Sequence, residues 1–370
     1  MSKNNISRRD FVTGLAVSGT AATLSGMSNA AGASADAVVV ENFPLVEPKP
    51  SNGPIKIVCA EKLAPEEVEK IRSAGKNVDL VMLSSRSELK ERAAEAEVIL
   101  GVVDRETALR AKNLKWVQNW AAGVDTLPRE LMQHPCVLTN MQRIYAPVIA
   151  ETAIGFMLSL ARGLAQDSIP RFKERKWTRD KSVPLVDLYQ KTLALVGLGG
   201  IGTETARRAH YGFEMRILAV DPKPLPKPAF VAELHEPGWL MDMIPQADIL
   251  MSAAPLTKET RHLFNENIFS KMKKSAYFIN MTRGGLVDQT ALARALKEGW
   301  IQGAGLDVTD PEPLPAEDPL WDCPHLIITP HNSGDAPIRQ KRHVALVAEN
   351  VRRYSSGLPL LNVVDKVRGY

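Results

Sequence analysis

The hydrophobic positions of this chain fall into short apolar runs that alternate with amphipathic stretches. Ile55-Lys56-Ile57-Val58-Cys59 is such a run, rich in β-branched residues, and helical periodicity over 65–73 follows it. Strand signals return at 78–83 and 97–103, with a helix predicted over 88–96 between them, and continue at 114–118 and 137–139. After a long apolar helix predicted over 148–164, a second series runs through 192–197, 216–220, 249–253, 277–280, 303–308 and 326–329. Strands that alternate with helices predict parallel, doubly wound sheets, and the two series predict an α/β chain with two of them. Helical periodicity over 336–354 comes after the second series is complete, so this segment is expected to pack back on the first sheet. The expected organisation is a discontinuous first domain, 54–147 and 335–370, with a second domain, 148–334, inserted in it and a ligand cleft between the two.

A length of 370 residues suits two domains of ordinary size, and 45% hydrophobic with 24% charged residues is a soluble globular composition. Residues 1–35 stand apart. Ser7-Arg8-Arg9-Asp10-Phe11-Val12 precedes a mildly apolar run over 14–27 that is rich in Gly, Ser, Thr and Ala. That run is too short and too weakly apolar for a membrane span, which needs about 20 strongly apolar residues, so no stable membrane anchor is expected. The segment resembles a twin-arginine export signal, with cleavage after Ala30 or Ala35, and 36–53, with Pro44, Pro48 and Pro50, reads as a linker. Export to the periplasm by the twin-arginine translocase is preferred over a basic tail on a cytoplasmic protein, because paired arginines, the following Phe and small-residue cleavage sites coincide. Removing Lys3, Arg8, Arg9 and Asp10 lowers the formal charge from +4 to +2, a balance that gives nucleic-acid binding no support. Cys59, Cys136 and Cys323 lack CxxC spacing and no His/Cys cluster has metal-ligand spacing, so free thiols and no metal site are expected.

Gly197-Leu198-Gly199-Gly200-Ile201-Gly202 follows an apolar strand and opens a helix, and Asp221 ends the next strand. In that context the glycine pattern signals a dinucleotide site. Gly197 permits the tight turn, Gly199 lets the backbone approach a pyrophosphate, and Gly202 lets the helix pack closely on the sheet. Gly200 and Ile201 lie at the helix N-terminus, whose unpaired N–H groups and positive dipole suit phosphates. Asp221 is expected to accept ribose hydroxyls and repel a 2'-phosphate, favouring NAD over NADP, whereas Lys223 is close enough to meet such a phosphate.

Three later strands end in chemistry-bearing residues. Ile279-Asn280-Met281-Thr282-Arg283-Gly284-Gly285 carries Arg283, Asp310-Pro311-Glu312-Pro313 carries Glu312 between prolines, and Thr329-Pro330-His331-Asn332-Ser333-Gly334 carries His331. Taken singly, Arg283 reads equally as a salt-bridge partner, Glu312 as a solvated turn acid and His331 as a structural histidine. Taken together they follow strands of one predicted sheet and so converge on one edge. A guanidinium there can grip a carboxylate with two parallel hydrogen bonds. An imidazole, with an ordinary pKa near 6.5, can move a proton at neutral pH once a carboxylate orients it.

These stretches are similar to the D-isomer-specific 2-hydroxyacid dehydrogenases, and the resemblance covers about 55–362. It implies an NAD-binding Rossmann domain (148–334) inserted in a flavodoxin-like substrate domain (54–147 and 335–370). It implies that Arg283 binds the carboxylate and carbonyl side of the substrate, that Glu312 supports the histidine, and that His331 is the acid/base of hydride exchange between NAD and a D-2-hydroxy or 2-oxo acid such as glyoxylate or hydroxypyruvate. Asp307 is expected at the nicotinamide carboxamide, with Met281, Thr282 and Arg283 nearby and His331 and Gly334 also lining the nucleotide site. Trp120-Ala121-Ala122-Gly123-Val124-Asp125 resembles the substrate loop of that family, so the N–H groups of Ala122, Gly123 and Val124 are expected to meet the substrate carboxylate. Val148-Ile149-Ala150-Glu151-Thr152 resembles the start of the family's interdomain helix, with Glu151 structural. A homodimer through the cofactor domains is implied. Because that family includes NAD-dependent corepressors, a non-catalytic NAD(H)-sensing protein is the alternative, and intact Arg283, Glu312 and His331 argue against it. A free NADH pool is not expected in the periplasm, so an exported enzyme would carry its nucleotide bound.

Overall fold

The computed structural model describes residues 49–178 and 184–370. The export signal, its cleavage sites and most of the linker fall in 1–48, outside the described residues.

Five parallel strands build the first sheet: β1 (Ile55–Cys59), β2 (Val78–Met82), β3 (Val98–Leu100), β4 (Trp116–Gln118) and β5 (Val137–Thr139), in the order β2-β1-β3-β4-β5. The second sheet has seven: β6 (Thr192–Val196), β7 (Arg216–Val220), β8 (Glu233–His235), β9 (Ile249–Ser252), β10 (Tyr277–Asn280), β11 (Gly303–Leu306) and β12 (Leu326–Ile328), in the order β12-β11-β10-β9-β6-β7-β8. The first order is the flavodoxin-like one, and the second contains the strand order of dinucleotide-binding sheets, with its switch point between β6 and β9. The sequence pattern predicts six strands in this second sheet; β8 is the extra one. It is a short edge strand, Glu-Leu-His, paired with β7 and incompletely buried, so it carries no hydrophobic run to betray it.

Each sheet is covered on both faces, which explains why its strands read as continuous apolar runs rather than alternating ones. Within β6, Leu193 and Leu195 pack with Ala153, Phe156, Met157 and Leu160 of the helix Ala146–Ala161, while Ala194 and Val196 face the opposite layer with Phe264 and Phe278. The terminal helix Arg339–Ser355 returns to the first sheet: Val344, Val347 and Val351 pack with Ile55 and Ile57, and Tyr354 stacks on Trp116 at 5.3 Å. The Tyr354 hydroxyl donates to buried Glu97 at 2.8 Å.

His343 of that helix is 3% exposed, lies edge-on to Trp120 and Tyr145, and has no hydrogen-bond partner on either ring nitrogen among the described residues. Burial, and next the neighbouring Arg339 cation, push its pKa down from 6.5 to about 4. Between those values the unfolded chain binds a proton that the folded chain refuses. Stability is therefore full above about pH 6.5 and falls as pH drops toward about 4, by up to about 1.4 kcal/mol per pH unit from this group. Calorimetry is expected to show a Tm that declines through this window and a flatter profile for His343→Phe; unchanged slopes would remove His343 as the cause.

Candidate active site

The glycine turn leaves β6 at the switch point of the second sheet. Gly197 has φ +100°, and a Cβ there would lie 2.7 Å from the Ala253 carbonyl oxygen, so no other residue fits comfortably. The helix Gly200–Phe213 begins with Gly199 as N-cap and no side chain caps it. No atom lies within 4 Å of where a Gly199 Cβ would stand. An uncapped helix N-terminus with room beside Gly199 fits a phosphate-bearing nucleotide. Gly202 lies against the Gly197 carbonyl, and Gly200 lies beside Arg143. Asp221, just past β7, accepts from the Leu198 N–H at 2.8 Å and from the Lys223 N–H at 2.9 Å, so the acid ties the glycine turn to its own loop. The Lys223 ammonium stands 4.4 Å from the centre of the Tyr370 ring.

At the end of β10, Asn280 shapes the arginine turn. Its Nδ2 donates to the Arg283 carbonyl at 2.8 Å and its Oδ1 accepts from the Thr282 N–H at 3.2 Å. Met281 is buried with Leu193 and Leu195, so its side chain belongs to the core. Arg283 reaches away from its sheet: Nη1 donates to the Thr282 carbonyl at 2.8 Å, while Nε and Nη2 donate to Asp125 of the loop after β4 at 3.1–3.3 Å.

Two asparagines hold the carbonyls of that loop. Asn119 Nδ2 donates to the carbonyls of Ala121 and Gly123, and Asn140 Nδ2 donates to that of Ala122. The N–H groups of Ala122, Gly123 and Val124 find no acceptor among the described residues. Gly123 is required by close approach: a Cβ would run into Arg283 Nη2.

Beyond β11, Glu312 is fixed at both oxygens. Oε1 accepts from the Thr309 N–H at 3.1 Å and Oε2 meets His331 Nδ1 at 2.8 Å. His331 sits just past β12 at φ +51°, its N–H donating to the carbonyls of Asp307 and Thr329. The His331 and Glu312 side chains are 47% and 38% exposed, so the pair is open to a ligand, and Nε2 has no partner among the described residues. Asp307 is 1% exposed. Its carboxylate accepts from Thr329 Oγ1, the N–H groups of Asn332 and Ser333, and Ser333 Oγ, so it anchors the loop that carries His331. Gly334 packs against the Tyr145 ring. Glu151 lies on the surface near Arg208.

Arg283, Glu312, His331 and the glycine turn thus all lie at the C-terminal ends of strands of one sheet, where open α/β sheets bind ligands. Sequence reasoning missed Asp125 as the partner of Arg283. The two are 158 positions apart, and only the approach of the two sheets brings them together.

The D-isomer specific 2-hydroxyacid dehydrogenase, NAD binding domain, matches residues 154–333. The chain is similar to a glyoxylate reductase of Korarchaeum cryptofilum, with 32% identity over 292 residues, 76% of this chain and 86% of that protein. It is similar to glyoxylate/hydroxypyruvate reductase B of Citrobacter koseri, with 40% identity over 243 residues, 65% and 68% of the two chains. A D-isomer specific 2-hydroxyacid dehydrogenase from Xanthobacter autotrophicus Py2, solved with NADPH and MES, resembles it with a TM-score of 0.73 and 26% identity over 86% of this chain and 100% of that one. With the nucleotide half matched and a relative aligned over most of its length, the chain belongs to the D-isomer-specific 2-hydroxyacid dehydrogenases and is an oxidoreductase acting on the CH–OH group of its donor.

Proposed function

We propose that this enzyme interconverts a small D-2-hydroxy acid and its 2-oxo acid, of the glyoxylate or hydroxypyruvate kind, with NAD and with His331 as acid/base. The observation that carries the reading is the His331 imidazole, held through Nδ1 by Glu312 at 2.8 Å with Nε2 open on the strand edge that also bears Arg283. In reduction, Arg283 and the Ala122–Val124 N–H groups hold the substrate carboxylate, and protonated His331 gives its Nε2 proton to the carbonyl oxygen. Arg283 also stabilises the charge that develops on that oxygen, a preorganised contribution that in other enzymes reaches roughly 3 kcal/mol. Glu312 keeps the ring oriented and supports its positive charge. The nicotinamide nucleotide, when bound, supplies or accepts the hydride. Gly197, Gly199, Gly200, Ile201 and Gly202 are assigned to its phosphates, Asp221 to its adenosine ribose, and Met281, Thr282, Asp307 and Gly334 to the backbone and loops beside the nicotinamide. The charge of Asp221 at the end of β7 supports NAD over NADP, and the Tyr370 ring against Lys223 gives that cation a partner within the chain. The assembled Glu312–His331 pair favours catalysis over nucleotide sensing.

The test is NADH and NADPH absorbance with the mature chain and a panel of glyoxylate, hydroxypyruvate, pyruvate and phenylpyruvate. Oxidation of NADH by at least one acid is expected; NADH binding without turnover of any acid would overturn the reading.

We assign the substrate-binding part to 54–147 and 335–370 and the nucleotide-binding part to 148–334. A homodimer through the nucleotide-binding part is supported by Ile169, Phe172 and Trp177, which follow the helix Ala146–Ala161 and are 50%, 83% and 97% exposed. Light scattering is expected to give twice the chain mass, and a monomer mass would remove the dimer. Residues 1–35 are proposed as a twin-arginine signal, with 36–53 as linker, on the strength of Arg8-Arg9 alone and its flanking residues. Cell fractionation, with periplasmic recovery expected and cytoplasmic retention against it, decides this.

A further inference from the structure

We propose that Asp125 is a positioning residue for the reaction: it clamps one edge of the Arg283 guanidinium, aims the other donors at the substrate, and tempers the cation's hold on the acid. This rests on the reading that Arg283 binds the substrate carboxylate.

A guanidinium has five N–H donors in a fixed plane. Asp125 takes Nε and one hydrogen of Nη2, at 3.2 and 3.1 Å, and the Thr282 carbonyl takes one hydrogen of Nη1 at 2.8 Å. One hydrogen remains on each terminal nitrogen, and two such donors form the fork that matches a carboxylate or a carboxylate oxygen with a carbonyl oxygen. Rotation of the arginine about its last bonds would spoil that fork, and three protein contacts on two different edges prevent it. The plane is also pressed against the backbone of the substrate loop, because the site of a Gly123 Cβ is filled by Nη2. Asp125 ends the same loop whose Ala122–Val124 N–H groups find no acceptor among the described residues. One loop therefore presents backbone donors and holds in place the side-chain donor that comes from the other sheet.

The pair is only partly open to solvent, with side chains 31% and 25% exposed, so it is not the freely solvated ion pair that contributes little. Asp125 also sets a negative charge beside the place where an anionic substrate must dock. That charge weakens ground-state binding of the acid, and it leaves the arginine oriented for the oxyanion that forms later.

Steady-state kinetics of Asp125→Ala and Asp125→Asn separate geometry from charge. The alanine variant frees the guanidinium and is expected to lose roughly ten- to hundredfold in kcat with an unchanged KM for NADH. The asparagine variant keeps an acceptor oxygen on the clamped edge without the charge. It is expected to recover most of kcat and to show a lower KM for the 2-oxo acid than the wild type. Wild-type kcat and KM in both variants would reduce the pair to a surface contact and overturn the proposal. So would an asparagine variant as impaired as alanine, or losses that track a fall in Tm and in NADH affinity. If the wild-type enzyme turned over no 2-oxo acid, the underlying reading would already have failed before any variant was made, so the two failures are distinguishable.

Discussion

Replacing His331 by alanine is expected to lower kcat by roughly 10²- to 10⁴-fold, the contribution of a well-placed general acid/base, while NADH affinity stays close to that of the wild type. The reason lies in how rigidly the ring is held. The backbone at φ +51° is pinned by its N–H to Asp307 and Thr329, the buried Asp307 carboxylate ties down the next two residues, and Glu312 fixes Nδ1. Removing the ring removes the proposed proton donor but leaves Arg283, the loop N–H groups and the glycine turn in place, so binding and part of the electrostatic stabilisation persist. Glu312→Gln is expected to fall between the two, since an amide oxygen still accepts from Nδ1 yet does not stabilise the imidazolium. Kinetics paired with fluorescence titration of NADH measure both effects. A His331→Ala enzyme with wild-type kcat would assign proton transfer to another group.

What was legible in the sequence is what local pattern controls. β1, β5, β7 and β10 are read to the residue from their short apolar, β-branched runs, and Arg283, Glu312 and His331 stand out in the sequence because each follows a strand. β8 was not found because an edge strand of Glu-Leu-His has neither a run nor an alternation. The part Asp307 plays in holding the His331 loop is hidden in the sequence for a different reason. A strand-end acid looks the same in sequence whether it faces a cleft or underpins a loop, and only the inward turn of Thr329 and Ser333 onto its oxygens decides. His343 lies in a helix rich in Arg and Lys, and its burial is set by Trp120 and Tyr145 from distant loops. Contacts between the two sheets, Asp125 with Arg283 above all, have no local signature.

Gly284→Ala is expected to damage stability and catalysis together, because this glycine is the joint between the turn that carries Arg283 and the loop that carries Glu312. It opens the short 3-10 turn Gly284–Leu286 directly after Arg283, and it packs so tightly on the loop after β11 that a Cβ would lie 2.0 Å from the Thr309 carbonyl carbon and oxygen and 2.5 Å from the Asp310 nitrogen. Those neighbours are backbone, so no rotamer change relieves the clash. Either the arginine turn moves, which displaces the guanidinium, or the Thr309 segment moves, which takes with it the N–H that donates to Glu312 Oε1 and so the brace on His331. Overpacking of this kind costs about 1–3 kcal/mol, and a shift of the order of 1 Å in a reacting group costs about a hundredfold in rate. A lower Tm and a kcat reduced about a hundredfold are therefore expected from one added methyl. The neighbouring Gly285→Ala is the control: its Cβ would meet only side-chain atoms, of Leu256, Arg261 and Asp310, at 3.1–3.2 Å, and these can swing aside. Equal losses in the two variants, or none in Gly284→Ala, would mean that the turns are not coupled through this contact.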